Sequence, residues 1–559
     1  MTALLTDNLS LLAGAPNGIK KLRELILELA VRGKLVPQDP NDEPASGLLK
    51  RIAEEKARLV AEGKIKKTKA LPEVSEEEQF FELPIGWTWC RLQDAFDVRD
   101  GTHDTPKYQP SGYPLVTSKN LSTGKLDLND VKFISEEDHL KISARSKVDR
   151  GDILFAMIGS IGNPVVVDTD IPFSIKNVAL LKRYAPGQIS TDFLLLYLLV
   201  AAADMREKSA GGVQSFVSLG SIRLYPFAFP ALSEQHRIVA KVDELMALCD
   251  RLEAQQADAD SAHAQLVQAL LDSLTQARDA GDFAQSWQRL AEHFHTLFTT
   301  ESSIDALKQT LLQLAVMGKL VPQYPNDEPA SELLKLIAKE KGRWVAEGKI
   351  RKQKPLAELS GEEKPFELPA GWVWTRLGDI CLTQTGTTPS KSQPELFGSD
   401  VPFIKPGDIY PDQVDYSGEG LSSLGASQSG RIAQAGSLLM VCIGTIGKCN
   451  LIERNCSFNQ QINSATLYKG LPQYLRIAAR SAYFQAKAWS ESSSTTIAIL
   501  NKGKWEAIPI PLPGLAEQHR IAAKVDELMA LCDQLKARLN QARQVHEQLA
   551  NALVERAVA

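Results

Sequence analysis

Two features are scarce in the 559-residue sequence, and each absence excludes a class of protein. Only seven cysteines are present and none forms a CxxC pair, which argues against a disulfide framework and against zinc binding. Long apolar runs are missing too: the longest, Phe193–Ala203, is well short of the roughly 20 residues of a membrane-spanning helix. The sequence therefore predicts a cytoplasmic protein with no metal site and no membrane partner.

Recurrent catalytic motifs are also absent. No Gly-Lys pair has the glycine five residues upstream that a Walker-type phosphate loop requires, and His546-Glu547 lacks the second histidine of HExxH. No (D/N)PP(Y/F) tetrapeptide, with which an adenine methyltransferase holds its base, is present. These absences predict a chain that is not an enzyme and holds no cofactor. The net charge of −5 argues against non-specific coating of nucleic acid but is compatible with local basic patches.

The residues that are present form two copies of one unit. Leu232–Leu252 recurs as Leu515–Leu535 with 18 of 21 positions identical, and Leu29–Ala53 recurs as Leu314–Ala338 with 21 of 25 identical. The segment FELPIGWTWCRL, which begins at Phe81, returns as FELPAGWVWTRL 285 positions later. A period of this length predicts duplication of a whole set of domains, whereas solenoid repeats have periods of about 20–50 residues.

The recurring segments at Leu232 and Leu515 each begin a long predicted helix with a coiled-coil seam, because apolar residues recur at heptad spacing. In the second helix the seam residues are Ile521, Val525, Leu528, Cys532, Leu535, Leu539, Ala542, Leu549 and Leu553, interrupted by His546. In the first helix they are Ile238, Val242, Leu245, Cys249 and Leu252, then a weak stretch at Gln256 and His263 and a recovery at Leu266 and Leu270. Each seam needs a partner helix, which is expected to be the equivalent helix or its neighbour in the other half of the chain.

A helical arm precedes each globular stretch. In the first copy an apolar helix is expected to end at Gly33 and Pro37, with its stripe at Leu22, Leu25, Ile26 and Leu29. A second helix is expected after Asn41-Asp42, with Pro44 in its first turn and an end near Gly63. The basic run from Lys64 and the acidic run at 76–78 indicate a solvated polar connector. Gly281 is expected to break the helical pattern after the first long helix.

The repeats divide the chain into five expected parts: a helical arm (1–79), a first globular domain (80–230), a central helical spacer with a second arm (231–365), a second globular domain (366–513) and a C-terminal coiled-coil helix (514–559). Short strands bounded by turn residues, together with an apolar helix at Asp192–Ala203, predict mixed domains. The expected fold class is α/β (α+β) domains in two copies, joined by long antiparallel coiled-coil helices, with an internal pseudo-twofold duplication.

The two globular domains share a frame but differ in their polar residues. Both have a Gly-Thr turn, and GDILFAMIGSIG at Gly151 matches GSLLMVCIGTIG at Gly436. At the same offset FSIKN begins at Phe173 and FNQQI at Phe458. The glycine turns could present N–H groups to a phosphate, although a tight turn is the favoured interpretation. Asn and Gln can bond adenine in the major groove, and Lys and Arg can bond guanine, although these residues also populate ordinary turns.

Polar residues in these loops are therefore candidate DNA contacts, each weighed against an equally plausible role in a solvated loop. In the first domain the candidates are Thr102, His103, Lys107, Ser118, Lys119, Asn120, Ser160, Lys176, Asn177, Gln214 and Ser215. In the second they are Thr387, Thr388, Lys391, Lys405, Asp408, Thr445, Lys448, Asn459, Gln460, Gln461, Asn463, Ser493 and Thr495.

A second kind of candidate lies at the start of the long helices. His236 and His519 are equivalent histidines within the matched segments, and each is followed by arginine. Helix capping or contact with a partner protein is favoured over acid–base chemistry for this motif. The predicted partner-binding residues are Gln235, His236, Arg237, Gln518, His519 and Arg520.

Taken together, the paired P-x-GW-x-W segments, the G(S/T)IG turns, FNQQ and the closing P-x-L-x-EQHRI-x-x-KVDEL segments resemble the specificity subunit of type I restriction–modification systems. The resemblance covers both halves of the chain in order, and the leading arm is similar to one branch of the family. FSIKN departs from the FNQQ pattern, which puts a shared role for that segment in question.

The resemblance implies that each globular domain is a target recognition domain that reads one half of a split, asymmetric double-stranded DNA sequence, with the helices setting the gap. It also implies two methyltransferase subunits that carry S-adenosylmethionine, and motor-nuclease subunits that use ATP and Mg²⁺. The chain itself would be non-catalytic and without a cofactor. Two alternatives stay open on the residues alone: a coiled-coil adaptor that binds only proteins, and a self-contained DNA-modifying enzyme with an unrecognised site.

Overall fold

The computed structural model describes residues 9–159, 161–208, 216–352, 354–429, 431–493 and 497–558. These residues form two compact units, one built from the chain up to Asp258 together with the segment from Arg543, the other from Ala259–Ala542. Both units contain arm helices, one mixed globular domain and parts of two long helices. The chain is thus two mixed α/β domains joined by long helices, as the repeats predict. None of the described helices has the length and apolar character needed to cross a membrane.

The arm of each unit begins with a helix whose apolar stripe is buried. The first arm helix, Gly18–Val31, buries the four predicted stripe residues, and the second arm helix is Glu301–Val316. Gly33 ends the first at φ +67°, where a Cβ would lie 2.5 Å from Pro84 Cγ, so only glycine fits this reversal. The arms continue with the expected helices, Ala45–Ala61 and Ala330–Ala346, although Pro44 and its equivalent Pro329 lie just before the first turn, at the N-cap position.

Each globular domain is opened and closed by a pair of antiparallel strands, Thr88–Arg91 with Pro226–Phe229 in the first and Val373–Arg376 with Pro509–Leu512 in the second. Between them lies a four-stranded antiparallel sheet. Its strand order is Phe96–Asp100, Val178–Arg183, Ile153–Ala156, Gly162–Val166 in the first domain and Cys381–Thr385, Ile462–Leu467, Leu438–Val441, Cys449–Leu451 in the second.

A smaller sheet packs beside each main sheet. Its strands are Lys132–Ile134, Tyr113–Val116 and Ser174–Ile175 in the first domain, and Phe397–Gly398, Gly420–Leu421, Val401–Ile404 and Ser457–Phe458 in the second. The domain helices are Leu92–Ala95, Glu136–Ser146, Thr191–Lys208 and Leu219–Leu224 in the first, and Leu377–Ile380, Ser423–Ser429, Pro472–Arg480, Ala482–Ser490 and Lys502–Glu506 in the second. The helix predicted at Asp192–Ala203 is present and longer than expected.

The two long helices, Leu232–Thr275 and Leu515–Val558, have 44 residues each. Their first halves follow the predicted seam, since Ile238, Val242, Cys249, Ile521, Val525, Leu528 and Cys532 are buried. Their second halves follow it only in part: Leu270 and Leu553 are half-buried against the core, whereas Ala542, Leu549 and Leu266 are exposed and the buried residues are Ala550, Ala557, Val267, Leu271 and Leu274. A straight helix has 3.6 residues per turn and drifts by roughly 20° per heptad, so the apolar face moves off a strict seven-residue repeat.

The arm helices are partners of these seams. Arg23 of the first arm helix pairs with Asp250 at 2.7 Å, and Lys536 of the second long helix pairs with Glu301 at 3.0 Å. Within its unit the first arm helix also meets the last turns of the second long helix, where Lys21 Nζ lies 3.1 Å from Glu547. The expectation of a partner in the other half of the chain therefore holds for these last turns, whereas the first half of each long helix packs on the arm of its own copy.

A second pair of equivalent histidines lies beyond the matched segments. His263 Nε2 is 3.3 Å from the carbonyl oxygen of Thr296, and His546 Nε2 is 2.7 Å from that of Leu11. The offset of 283 that relates the long helices also relates these two residues. His546 is thus no interruption of the apolar face but a polar contact to a short helix, Leu9–Gly14, and the comparison of sequences missed it because identity has faded there.

The break after the first long helix lies before Gly281. The helix ends at Thr275, and Gly281 belongs to the next helix, Ala280–Ala291. Asp279 caps that helix by accepting hydrogen bonds from the N–H groups of Gly281 and Asp282, both at 2.9 Å. The predicted break at Gly281 is therefore wrong, because an aspartate cap starts a helix where glycine alone indicates an end. A further short helix follows at Phe294–Leu297.

The end of the connector between each arm and its domain is held against the domain by hydrogen bonds. Arg91, on the opening strand and almost fully buried, forms a bidentate pair with Glu78 at 2.8 and 2.7 Å. It also donates to the carbonyl oxygens of Pro72, Glu73 and Leu224. The second unit repeats the arrangement with Arg376, Glu363, Ala357, Glu358 and Ala507. The basic run is exposed, as expected of a solvated connector, whereas the following stretch 72–78 is a docked strap held by Arg91.

The Arg91 guanidinium, followed by the N–H of Ser75, lowers the pKa of Glu78 from 4.5 to about 2. Since the folded-state pKa lies below the ordinary value, the pair stabilises the docked strap fully above pH 4.5 and loses this effect as pH falls towards 2.

Leu528→Ala and Leu549→Ala test the course of the seam. We expect Leu528→Ala to cost about 2–5 kcal/mol because it empties a buried site, whereas Leu549→Ala stays within about 0.5 kcal/mol. Thermal unfolding of the two variants measures the difference. Equal destabilisation would show that the strict heptad, with Leu549 inside, is correct.

Arg91→Lys and Arg376→Lys test the docked straps, each serving as the control for the other. Lysine cannot reproduce the bidentate pair or reach three carbonyl oxygens, so each strap opens more often. We expect limited trypsin digestion to cut 64–69 faster in the first variant and 349–354 faster in the second, by a factor on the order of ten. Unchanged cleavage in both variants would contradict this role.

Candidate nucleic-acid interface

The Gly-Thr turn of each domain is held against a short strand of the small sheet. Thr102 N donates to the carbonyl oxygen of Ile175, and Thr387 N donates to that of Phe458, both at 3.0 Å. A Cβ on Gly101 would lie 2.1 Å from the Ile175 oxygen, and the equivalent glycine of the second domain is equally close to its strand. Glycine is required because two backbones approach here without room for a side chain.

A second polar loop reaches the same edge through parallel strand pairing. Val116 pairs with Ile175 in the first domain, and Ile404 pairs with Phe458 in the second. The loops that follow these strands contain Ser118, Lys119 and Asn120 in one domain and Lys405 and Asp408 in the other. The strand register therefore places the Gly-Thr turn, the short strand and the following loop at one edge of each domain.

The structure aligns the FSIKN and FNQQI segments differently from the constant offset of 285 residues. The pairing with Val116 and Ile404 makes Ile175, not Phe173, the counterpart of Phe458. Lys176 N then donates to Val116 O as Asn459 N donates to Ile404 O, both at 2.9 Å. One extra residue in the second turn restores the register of the main sheet. The offset of 285 for this segment is therefore wrong, because an insertion in an irregular turn leaves no trace in the apolar pattern.

Several predicted residues close turns through their own side chains. Asn120 is 5% exposed, accepts from Thr117 N at 3.0 Å and donates to the carbonyl oxygens of two later loop residues. Asp408 takes the equivalent place, accepting from Lys405 N at 2.8 Å. Asn463 is 3% exposed and bonds Cys442 Sγ and Thr385 Oγ1. These side chains have their hydrogen bonds within the domain, and their role as DNA contacts stays a prediction.

The predicted lysines lie around the same edge, mostly with polar partners. Lys119 pairs with Asp130, and the hydrogen bond between them raises the lysine pKa. Lys405 pairs with Glu419 at 3.0 Å, and Lys448 donates to Pro406 O at 2.8 Å. Lys176 contacts the Thr105 hydroxyl. Lys107 and Lys391 are exposed, as is Thr445, whereas Ser118 is half-buried.

The glycine turns form a neighbouring loop at this edge. Gly159 and Gly444 adopt φ +75° and +81°, as a tight turn requires. The residue before each turn glycine bridges to the loop preceding the last domain helix, Ile158 to Phe216 and Ile443 to Ile499. Ser493 is part of that loop and bridges Ile499 through its backbone. The predicted contacts Ser160, Gln214, Ser215 and Thr495 lie outside the described residues.

Side chains from the Gly-Thr turn and the short-strand turn touch directly. His103 Nδ1 lies 3.1 Å from Asn177 Oδ1, and His103 Nε2 lies 2.8 Å from Asp100, which also pairs with Arg145 at 2.8 Å. In the second domain the side chains of Thr388 and Gln460 are hydrogen-bonded. Asn459 Oδ1 accepts from the N–H of the half-buried Gln461 at 2.8 Å, which stabilises the turn. The geometry thus brings most predicted residues of each domain to one polar edge.

The start of each long helix anchors the domain from the opposite side. Glu234 is 2% exposed and accepts from Trp87 Nε1 at 2.9 Å and from Gln38 at 2.7 Å. Glu517 repeats these contacts with Trp372 and Gln323 at 2.9 and 3.0 Å. Burial raises the pKa of both glutamates, against the effect of these N–H donors. Sequence reasoning missed the two glutamates, although the matched segments contain both.

The predicted partner-binding residues divide into buried and exposed groups. Gln235 is fully buried, accepting from Ser190 N at 2.9 Å and donating to Pro230 O at 3.0 Å. Gln518 bonds Leu471 N and Pro513 O in the same way, at 2.9 and 3.0 Å. Arg237 pairs with Asp42, and Arg520 with Asp327. His236 and His519 are exposed. The internal bonds give glutamine and arginine structural roles, and partner binding by this motif stays a prediction.

Comparisons with known proteins bear on the whole chain. A family model described as the type I restriction modification DNA specificity domain matches residues 84–259 and 369–543. The chain is 40% identical over 572 residues to the type I restriction enzyme EcoAI specificity subunit of Escherichia coli, covering 97% of this chain and 94% of that protein. It is 39% identical over 568 residues to the EcoEI specificity subunit of Escherichia coli, with the same coverage of 97% and 94%. A chain solved in a study of complex assembly and conformational transition of the type I R-M system is 18% identical, with a TM-score of 0.48 and coverage of 86% of this chain and 99% of that chain.

Gln518→Leu and His519→Ala separate the buried and exposed parts of the helix start. Gln518→Leu leaves the buried Pro513 O and the part-buried Leu471 N without a partner, so we expect a cost of about 1–3 kcal/mol and faster hydrogen exchange at Leu471. The exposed His519→Ala serves as control and should stay within about 0.5 kcal/mol. Equal stability of the two variants would show that the buried glutamine does not hold the domain.

Proposed function

Because the chain belongs to the specificity subunits of type I restriction–modification systems, we propose that it selects the DNA sequence on which such a complex acts. Each globular domain is a target recognition domain that reads one half of a bipartite, asymmetric DNA sequence. The long helices set the spacing between the halves. The chain works with other subunits and with double-stranded DNA.

The observation that carries this proposal is a repeated frame with two different polar edges. The strand order of the main sheet, the Gly-Thr turn and the buried glutamates recur in both domains, whereas His103 and Asn177 are replaced at the edge by Thr388 and Gln460. A reader of a symmetric sequence needs the same contacts twice. Two different edges on one frame instead suit two different half-sequences.

The length of the helices supports their role as spacers. A helix of 44 residues spans roughly 66 Å at about 1.5 Å per residue. One turn of DNA is about 34 Å, so helices of this length suffice to separate two half-sequences by a turn or more.

We further propose that two methyltransferase subunits, and motor-nuclease subunits beyond them, supply the chemistry. The duplicated helix starts support two equivalent docking surfaces, with His236 and His519 exposed in matching surroundings. S-adenosylmethionine, ATP and Mg²⁺ belong to these partners in the proposal. This chain is non-catalytic, which accords with its seven buried cysteines: burial raises the pKa of the Cys449 thiol to about 11, so the buried thiol is a poor nucleophile.

Exchange of one domain tests the proposal. Residues 93–225, which lie between the closing strands, are replaced by the equivalent segment of a relative, and methylated adenines are mapped across a host genome that also expresses the methyltransferase partner. We expect the first half of the methylated sequence to change while the second half and the spacing persist, because each domain reads its half-sequence independently of the other domain.

The reciprocal exchange of residues 378–508 is the matched control and should change only the other half. A change of both halves by either graft would refute independent reading. Methylation without any sequence preference in the wild type would refute the proposed function itself.

A further inference from the structure

One side-chain amide in each domain is held by the residue that follows the Gly-Thr pair. His103 Nδ1 lies 3.1 Å from Asn177 Oδ1 in the first domain. Thr388 Oγ1 donates to Gln460 Oε1 in the second. The holders are equivalent in sequence, and the amides are equivalent in structure because each directly follows the residue whose N–H bonds the neighbouring parallel strand. The two domains thus share the same pairing of a holding side chain with an amide, although the residues at their edges differ.

These two amides combine an oxygen that a side chain after the Gly-Thr pair contacts with an NH2 group that has no protein partner, whereas no such contact orients the neighbouring Gln461 amide within the described residues. The amides of Asn120 and Asn463 are engaged on both sides within the domain, and Asn459 Oδ1 closes its own turn. Within the described ranges, Asn177 Nδ2 and Gln460 Nε2 have no protein partner. Gln460 is exposed and Asn177 is half-buried. The Gln460 amide therefore offers an N–H donor and the second lone pair of a fixed oxygen, and the Asn177 amide offers the same when the His103 ring donates from both nitrogens, to Asp100 and to Asn177 Oδ1.

An amide of this kind matches one base edge. Adenine presents the N7 acceptor and the N6 donor side by side in the major groove, and Asn or Gln bonds both at once. Guanine presents two acceptors at these places, so an amide oxygen would face an acceptor there. A hydrogen bond that fixes the amide oxygen keeps the donor and acceptor sides from exchanging, which sharpens the choice between bases.

We propose that Asn177 and Gln460 are specificity-determining residues, each reading an adenine in its own half of the DNA sequence, and that His103 and Thr388 are positioning residues that orient them. This inference rests on the proposed function. It assigns base recognition to two side chains among the larger set of polar residues at the edges.

The anchoring of the two holders differs between the domains. His103 is itself bonded to Asp100, which pairs with Arg145, so a chain of charged partners fixes the ring. Thr388 acts through a hydroxyl alone. Asparagine is one methylene shorter than glutamine, so the first amide reaches less far from the backbone.

The experiment uses the full chain in complex with its methyltransferase partner and a pool of duplexes randomised at each position of the wild-type sequence. Gln460→Ala and Asn177→Gly remove the amides, glycine being compatible with the left-handed φ of +54° at Asn177. We expect each variant to lose discrimination by roughly 5- to 150-fold at one A·T pair in one half, with the other half unchanged.

Further variants test orientation and base identity. Thr388→Val removes the donor at constant shape and should weaken discrimination at the same position as Gln460→Ala, whereas Thr388→Ser should keep it. Gln460→Glu replaces the outward donor by an acceptor and should move the preference towards cytosine, whose N4 group donates. Lys469→Ala, an exposed change beyond the far end of the strand Ile462–Leu467, is the control and should match the wild type.

Three results would overturn the inference while leaving the proposed function standing. Base preference could persist at every position in Gln460→Ala and Asn177→Gly. Binding could fall uniformly on all sequences, which marks a backbone or folding effect. The relaxed position could be a G·C pair. A wild-type complex that prefers no duplex over any other would instead overturn the proposed function.

Discussion

A buried carboxylate at the first turn of each long helix holds three parts of each unit together. Glu234 and Glu517 accept from a tryptophan of the segment that opens the domain and from a glutamine of the arm. A charge taken out of water is costly unless donors replace the solvent, and here two N–H groups do so. The adjacent Gln235 and Gln518 bond backbone groups of the domain itself. Arm, domain and helix are therefore fixed at one point.

This fixed point explains which residues recur and which differ. The bonds between the tryptophans and the glutamates of the anchor are buried, so a change on one side leaves an unpaired polar group on the other and is strongly disfavoured. At the opposite edge the strands Ser174–Ile175 and Ser457–Phe458 need only their backbone bonds. Side chains in the turns that follow are free to vary, since they contribute little to the core. The buried anchor and the edge proposed for DNA recognition are thus built from different residues of the domain.

The sequence predicted the elements better than their relative register. Arm helices, long helices and the duplicated frame follow from apolar periodicity, glycine positions and identity between copies. Periodicity could not place Phe458 opposite Ile175, because an irregular turn with one extra residue has no period to count. Periodicity also could not show that Ala550 is buried in place of Leu549. A heptad repeat and a helix with 3.6 residues per turn differ too little over a few turns to predict different buried faces. The partner of Gln235 was hidden for another reason, since buried glutamine resembles surface glutamine in a sequence.

The closing strand pair has an evolutionary consequence. Because Thr88–Arg91 lies antiparallel to Pro226–Phe229, the chain enters and leaves the domain at adjacent points, so the whole domain is a cassette whose removal leaves a small gap. The flanks of this cassette are nearly identical in the two copies of the unit. Genetic recombination between such flanks would exchange one reading head for another in a single event, and new combinations of half-sequences would arise without any residue of the buried anchor changing.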